Sequence, residues 1–279
     1  MDLDVDGVTL HADVDGPEDG PVVVFLHGVS GSGETYGWLP ARITDGRRVV
    51  RLDLRGHGRS ARAPGTYVIE RYGADVAAVL EQVAGRPAVL VGHSLGGVAA
   101  WWVAQRRPEL VAAAFLEDPP LYMGAPAEHE RNEIAKLFPL MRDRAAGWRR
   151  EGADVATVAE QIGAAPFTPD GSVRMRDAVC ADALRSRAEA QLAMDPEVLT
   201  GAADRSTLAG TDTTAPVTVP VLVLAADDAM GAAFPSAHEA RLAQTHPDVE
   251  VLRLPGAGHS IHDERAFREE YVRQLSSRA

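Results

Sequence analysis

The sequence predicts an α/β fold: a mostly parallel, doubly wound sheet carrying an inserted helical segment. Three observations predict it. Short β-branched apolar runs alternate with helical patterns through the first 118 residues. Between about Pro119 and Leu208 the alternation gives way to Arg- and Ala-rich helical patterns. After the Thr/Ala-rich stretch GTDTTAPVTVP the alternation resumes and runs to the C-terminus. A chain of 279 residues is ordinary for one large domain with an insertion. The expected division is a core of 1–118 and 209–279 with a helical insertion at 119–208.

Each element has its own signal. VTLHADV reads as an early strand, and PVVVFLHG as a buried one because it is a short β-branched run closed by glycine. ETYGWLPARI is a modest helix candidate, and RRVVRLDL is the next strand. In YVIERYGADVAAVLEQV, the residues Ile69, Tyr72, Val76, Val79, Leu80 and Val83 fall on one helical stripe. AVLVGH, LGGVAAWWVAQRR and VAAAFLE then read as strand, helix and strand. HERNEIAKLFPLMRDRAAGWRR and DAVCADALRSRAEAQLAM are the clearest helical patterns of the insertion. VLVLAA, SAHEARLAQTH, VEVLRL and AFREEYVRQLSS restore the strand and helix rhythm, and no internal repeat is present.

Composition excludes several function classes. Hydrophobic residues at 46% and charged residues at 24% are ordinary for a globular protein and argue against disorder. The net charge of −12 repels a phosphate backbone, so nucleic acid is not an expected partner. Lys136 is the only lysine and has no Gly-rich loop before it, which removes the P-loop reading and disfavours a Schiff base. Cys180 is the only cysteine, so neither an intrachain disulfide nor a thiolate metal cluster is expected, and the residue reads as a buried small hydrophobe. The start MDLDVDGVTL is acidic rather than basic and apolar, and no run approaches membrane-span length. A cytoplasmic protein that does not bind membrane is the expectation.

The strongest chemical signal is Gly92-His93-Ser94-Leu95-Gly96-Gly97, lying between a predicted strand and a predicted helix. In that setting Ser94 occupies a tight turn, and glycines two residues to either side let strand and helix pass without Cβ clashes. A helix-capping serine is the plain alternative. As a nucleophile, Ser94 needs a base. His259 in LPGAGHSIH follows a predicted strand, and loops at strand C-terminal ends converge on one crevice. His262 enters the acidic segment HDER and reads as a surface histidine. His27-Gly28-Val29 follows PVVVFL, so the N–H groups of Val29 and Leu95 are the expected donors to a developing oxyanion. His27 and His93 read as hydrogen-bonding support.

HGVSGSG, DLRGHGRS, GHSLGG and PGAGHSIH, in this order and spacing, resemble the α/β-hydrolase superfamily over about residues 20–118 and 219–277. The resemblance implies a sheet of that type and a catalytic triad. No metal or cofactor is expected, since His259 and His262 have no HExxH context and HGVSGSG does not match GxGxxG. The resemblance also implies that Asp53 and His57 are structural. It further implies that 119–208 is a cap domain over the crevice. Candidates for the pocket walls are Trp102, Tyr122, Met123 and Trp148, with Trp101, Phe138 and Met194 behind them. The third triad member usually follows the strand that here reads VLVLAA, but Ala229 stands at that position, with Asp227 and Asp228 beside it. Another branch takes its acid after the preceding strand, where VAAAFLEDPP offers Glu117 and Asp118. Asp118 is favoured, with Asp228, Asp227 and Glu117 left open.

The sequence therefore reads as a serine hydrolase of a small ester or lactone, with a small-molecule acyl substrate and an undetermined oligomeric state. A carbon–carbon bond hydrolase of diketone-like compounds is the rival enzyme. A ligand-binding receptor or scaffold with little turnover is the rival outside enzymes. A serine in the nucleophile position argues against dehalogenases and epoxide hydrolases that use a carboxylate there.

Overall fold

The computed structural model describes residues 1–43 and 46–277. Eight strands form one sheet: β1 Asp2–Val5, β2 Val8–Asp15, β3 Val22–Leu26, β4 Arg48–Leu52, β5 Ala88–His93, β6 Val111–Glu117, β7 Val221–Ala225 and β8 Glu250–Arg253. Their order across the sheet is β1-β2-β4-β3-β5-β6-β7-β8. Only the β1–β2 and β2–β4 pairings are antiparallel; from β4 to β8 every pairing is parallel. β1 is the one strand absent from the sequence reading. It pairs with β2 through a hairpin whose turn residues, Asp6 and Gly7, both have positive φ, the conformation that a two-residue Asp-Gly turn favours.

Both faces of the parallel part are buried, so its strands are apolar at consecutive positions. In β3, Val22, Val24 and Leu26 face one core cluster while Val23 and Phe25 face the other. Helices α2 Ile69–Val83 and α3 Leu95–Arg106 cover the first face. The short α1 Pro40–Ile43 and the C-terminal α11 Arg268–Ser276 cover the second, where Ile43, Tyr271 and Leu275 are buried. α10 Ser236–Thr245 precedes β8. ETYGWLPARI is not one helix: a 3₁₀ turn at Gly33–Tyr36 and α1 divide it.

Between β6 and β7 the chain forms α4 Pro126–Arg131, α5 Phe138–Glu151, α6 Val155–Ala164, α7 Met175–Ala178, α8 Ala181–Ala193 and α9 Glu197–Ala203. These helices carry a third apolar cluster that includes Phe138, Trp148, Val158, Met194 and Leu199. HERNEIAKLFPLMRDRAAGWRR is broken at Asn132 and Phe138, with proline at the second position of α5. Cys180 lies at the start of α8, half-buried rather than fully buried as expected. Among the described residues no helix is long and apolar enough to cross a membrane.

Trp102 shows how the two covering helices meet. Its indole sits against Gly73 of α2, where an added Cβ would lie 2.4 Å from the ring carbons. Gly73→Ala must therefore displace the indole, at a cost of roughly 1–3 kcal/mol. The expected outcome is a fall of several degrees in Tm by thermal denaturation. An unchanged Tm would show that the α2–α3 contact is looser than this packing implies.

Candidate active site

The β5–α3 junction is built by close backbone approach. A Cβ on Gly92 would lie 2.3 Å from the Gly96 carbonyl oxygen, and one on Gly96 would lie 2.2 Å from that of Leu26. Neither position admits a side chain without moving the backbone. Ser94 sits between them with φ 50° and ψ −115°, a strained conformation for a residue with a side chain. Its N–H donates to the Glu117 carbonyl at 2.9 Å, and its carbonyl accepts from Val98 at 3.0 Å. Leu95 is the first residue of α3, so its N–H has no acceptor inside the helix and forms part of the positive end of the helix dipole.

The strand after this junction supplies the next group. Asp118 follows β6 with φ 41° and is fully buried. Its Oδ1 accepts from the N–H groups of Ala226 at 3.3 Å and Phe234 at 3.1 Å. Its Oδ2 accepts from Ala233 N–H at 2.8 Å and from His259 Nδ1 at 2.7 Å. A carboxylate only accepts, so Nδ1 carries the imidazole hydrogen and Nε2 is left with its lone pair. Burial of an ionised carboxylate requires this kind of satisfaction.

His259 is held from several sides. Its carbonyl accepts from His93 Nε2 at 3.0 Å. In the loop before it, Gly256 N–H donates to Asp227 at 2.6 Å and Gly258 N–H to Glu264 at 2.8 Å. Burial holds His93 well below its ordinary pKa, reinforced by the charges of His259, His262 and Arg187, so it acts as a neutral donor. His27 is also neutral, pushed down to about 4 by burial, with Nδ1 donating to Gly28 O and Nε2 accepting from Leu54 N–H. Asp53 accepts from Gly33 and Arg59 N–H groups, and His57 Nδ1 donates to Arg55 O, so both brace loops.

The other candidate carboxylates point elsewhere. Asp227 caps Ala229 N–H and binds Gly256, and these two hydrogen bonds lower its pKa. Asp228 accepts from Ser236 N–H and pairs with Arg253 at 3.0 Å. Glu117 is fully buried against His262, whose Nδ1 lies 2.7 Å from Oε2. His262 is thus not a surface residue as the acidic segment suggested; it is 1% exposed. Burial alone would depress its pKa, but the Glu117 and Asp263 carboxylates more than offset this and raise it.

Val29, Ser94 and His259 line one cavity of about 360 Å³. A side pocket of about 20 Å³ adjoins it, lined by Val29, Ser94, Leu95 and Met123. Trp148 lines the larger cavity, and Phe138 lines both. Trp102 and Tyr122 line neither: Trp102 is turned onto α2, and the Tyr122 ring packs at a tilt against His238 beneath Arg241. Trp101 is buried with its indole N–H on Asp212 O, and Met194 packs in the third cluster. Arg187, Gln191 and Glu264 belong to the larger cavity but had no distinguishing sequence signal, since nothing about a helix-face Arg or Gln marks it as facing a crevice.

The sequence model of the alpha/beta hydrolase fold family matches residues 21–266. The chain belongs to that family. This hydrolase-family chain is 26% identical over 269 residues to the 2-(acetamidomethylene)succinate hydrolase of Mesorhizobium japonicum, covering 94% of this chain and 88% of that one. It is 30% identical over 142 residues to the AB hydrolase superfamily protein YfhM of Bacillus subtilis, spanning 49% of this chain and only 47% of the relative. It is 40% identical over 113 residues to the bifunctional esterase/perhydrolase DCH of Acinetobacter calcoaceticus, covering 40% of this chain and 41% of that one. The crystal structure of an enol-lactonase from Burkholderia xenovorans LB400 superposes with a TM-score of 0.74 at 21% identity, covering 99% of this chain and 98% of that one. At that identity the likeness is one of fold.

Burial pushes the Glu264 carboxyl up to about 8, with Glu117 and Asp263 adding to the effect and the Gly258 N–H opposing it. The ordinary value is near 4.5, so between about 4.5 and 8 the folded chain keeps a proton that the unfolded chain has released. Rising pH across that window therefore favours unfolding. Glu264→Gln removes this contribution. The Tm difference between variant and wild type is expected to move in the variant's favour from pH 5 to pH 8; a difference independent of pH would contradict the assignment.

Proposed function

We propose that the protein is a serine hydrolase that cleaves a small-molecule ester or lactone through an acyl-enzyme, with Ser94 as nucleophile, His259 as base and Asp118 as the orienting acid. The observation that carries the reading is the Asp118–His259 hydrogen bond of 2.7 Å beside the cavity that Ser94 also lines. That bond fixes the tautomer in which Nε2 is free to accept a proton.

In this reading the Ser94 hydroxyl gives its proton to His259 Nε2 as Oγ attacks the carbonyl carbon. The imidazolium is stabilised by Asp118, which stays ionised. The N–H of Leu95, at the head of α3, and that of Val29 hold the oxyanion. Collapse expels the alcohol, which takes the proton from His259. Water then enters, is deprotonated by the same nitrogen and releases the acid. The strained backbone at Ser94 supports the assignment, because such conformations, held in place by the surrounding structure, cluster at active sites.

The helical segment 119–208 serves as the cap: Phe138 and Trp148 of α5 are among the walls of the cavity above Ser94. The name of a bifunctional esterase/perhydrolase among the relatives supports an oxygen ester as the substrate.

Replacement of Ser94 by Ala is expected to lower kcat on a short-chain 4-nitrophenyl ester by roughly 10⁴-fold or more. It should also abolish covalent labelling by a fluorophosphonate. Turnover and labelling that survive the substitution would end the proposal.

A further inference from the structure

The larger cavity is not uniformly apolar. Arg187 of α8 contributes to its wall together with Gln191, one turn further along the same helix, and Glu264 of the core. Arg187 also joins the insertion to the core, because Nε and Nη2 both approach a single oxygen, Oδ2 of Asp263, at 2.8 and 2.7 Å. The other oxygen of Asp263 lies 3.4 Å from His262 Nε2. The ion pair therefore occupies only the side edge of the guanidinium. The end edge, formed by Nη1 and the second hydrogen of Nη2, has no acceptor among the described residues, and the side chain is 24% exposed. A planar pair of parallel N–H donors is the geometry that binds both oxygens of a carboxylate.

The charges around it point the same way. Arg144 of α5 lines the same cavity and has no ion-pair partner among the described residues. Asp263 is engaged by Arg187, and burial keeps Glu264 mostly protonated at neutral pH, with a value of about 8. Two guanidinium groups, of Arg187 and Arg144, thus reach the wall of one crevice in a chain whose net charge is −12, and Arg144 brings no carboxylate partner with it among the described residues.

We propose that the open end edge of Arg187 anchors a carboxylate of the substrate, which makes the substrate an acidic ester or lactone instead of a neutral one. The inference rests on the serine-hydrolase reading above, which it deepens by naming the substrate class. Arg187 is then a specificity residue, binding a group remote from the scissile carbonyl. Its pairing with Asp263 holds the fork in place, so binding a substrate does not require a free arginine to be ordered.

The test uses two matched pairs of esters that differ only in charge. One pair is 4-nitrophenyl adipate with a free ω-carboxylate and its ω-carboxamide analogue. The other pair is 4-carboxyphenyl acetate and 4-carbamoylphenyl acetate, which place the charge on the leaving group. In the wild type, kcat/KM is expected to favour the carboxylate in at least one pair by about tenfold to a hundredfold, the range of a charge-assisted hydrogen bond. Arg187→Met should bring that ratio near one, mainly through KM, and Arg187→Lys should keep part of it. A wild-type ratio near one in both pairs, or a preference that Arg187→Met leaves intact, overturns the proposal. Calorimetric titration of the Ser94→Ala protein with adipate and adipamide reads the same preference without turnover or an Arg187 variant, and equal affinities also overturn it. Fluorophosphonate labelling separates the two levels. Failure of the wild type to be labelled condemns the hydrolase reading, whereas wild-type labelling without charge preference condemns only this one.

Discussion

The Asp118 carboxylate is the charge on which the site is organised. It is fully buried, and an ionised group away from water is tolerated only with its lone pairs engaged. Here the donors are three backbone N–H groups, from Ala226, Ala233 and Phe234, and the imidazole of His259. Those donors lie after β7 and after β8, while the carboxylate lies after β6. One side chain therefore ties three neighbouring strand ends together, and the position of His259 follows from satisfying that charge. The positive φ of Asp118 is part of the same arrangement, because it marks a turn made at an energetic cost where the surrounding hydrogen bonds hold it.

Glu117 and Asp118 are consecutive and serve two histidines three residues apart. Glu117 binds His262 in the interior, and Asp118 binds His259 beside the cavity. Asp263, next in the chain after His262, pairs with Arg187, so the segment that follows His259 is connected by an ion pair to a helix of the insertion. The neutral His93, bonded to the His259 carbonyl, closes the loop from the side of the Ser94 turn.

Much of this was legible in the sequence, for identifiable reasons. The strand and helix rhythm is a direct consequence of burying a parallel sheet on both faces, and Gly92 and Gly96 are required by backbone approaches that no other residue allows. The choice among four carboxylates was not legible from spacing alone. Asp227 and Asp228 lie near the position where family members carry the acid, and only loop hydrogen bonds to Gly256, Ala229 and Ser236 show that they face away. His262 misled for a related reason. Its polar neighbours in HDER suggested solvent, yet Asp263 and Glu264 are themselves buried with it. The wall residues divided according to the direction each side chain takes from its helix or turn, which a sequence without a template does not reveal: Trp148 and Met123 face cavities, while Trp102 and Tyr122 face helices.

The most direct measurement is kcat/KM on one activated ester for Asp118→Asn, Asp227→Asn and Asp228→Asn, each checked for an unchanged circular dichroism spectrum. The account predicts a collapse of about 10⁴-fold for Asp118→Asn, as expected when the orienting acid is replaced and the wrong tautomer is held, with the other two within severalfold of the wild type. Near-normal turnover in Asp118→Asn, alongside a collapse in either of the others, would contradict it.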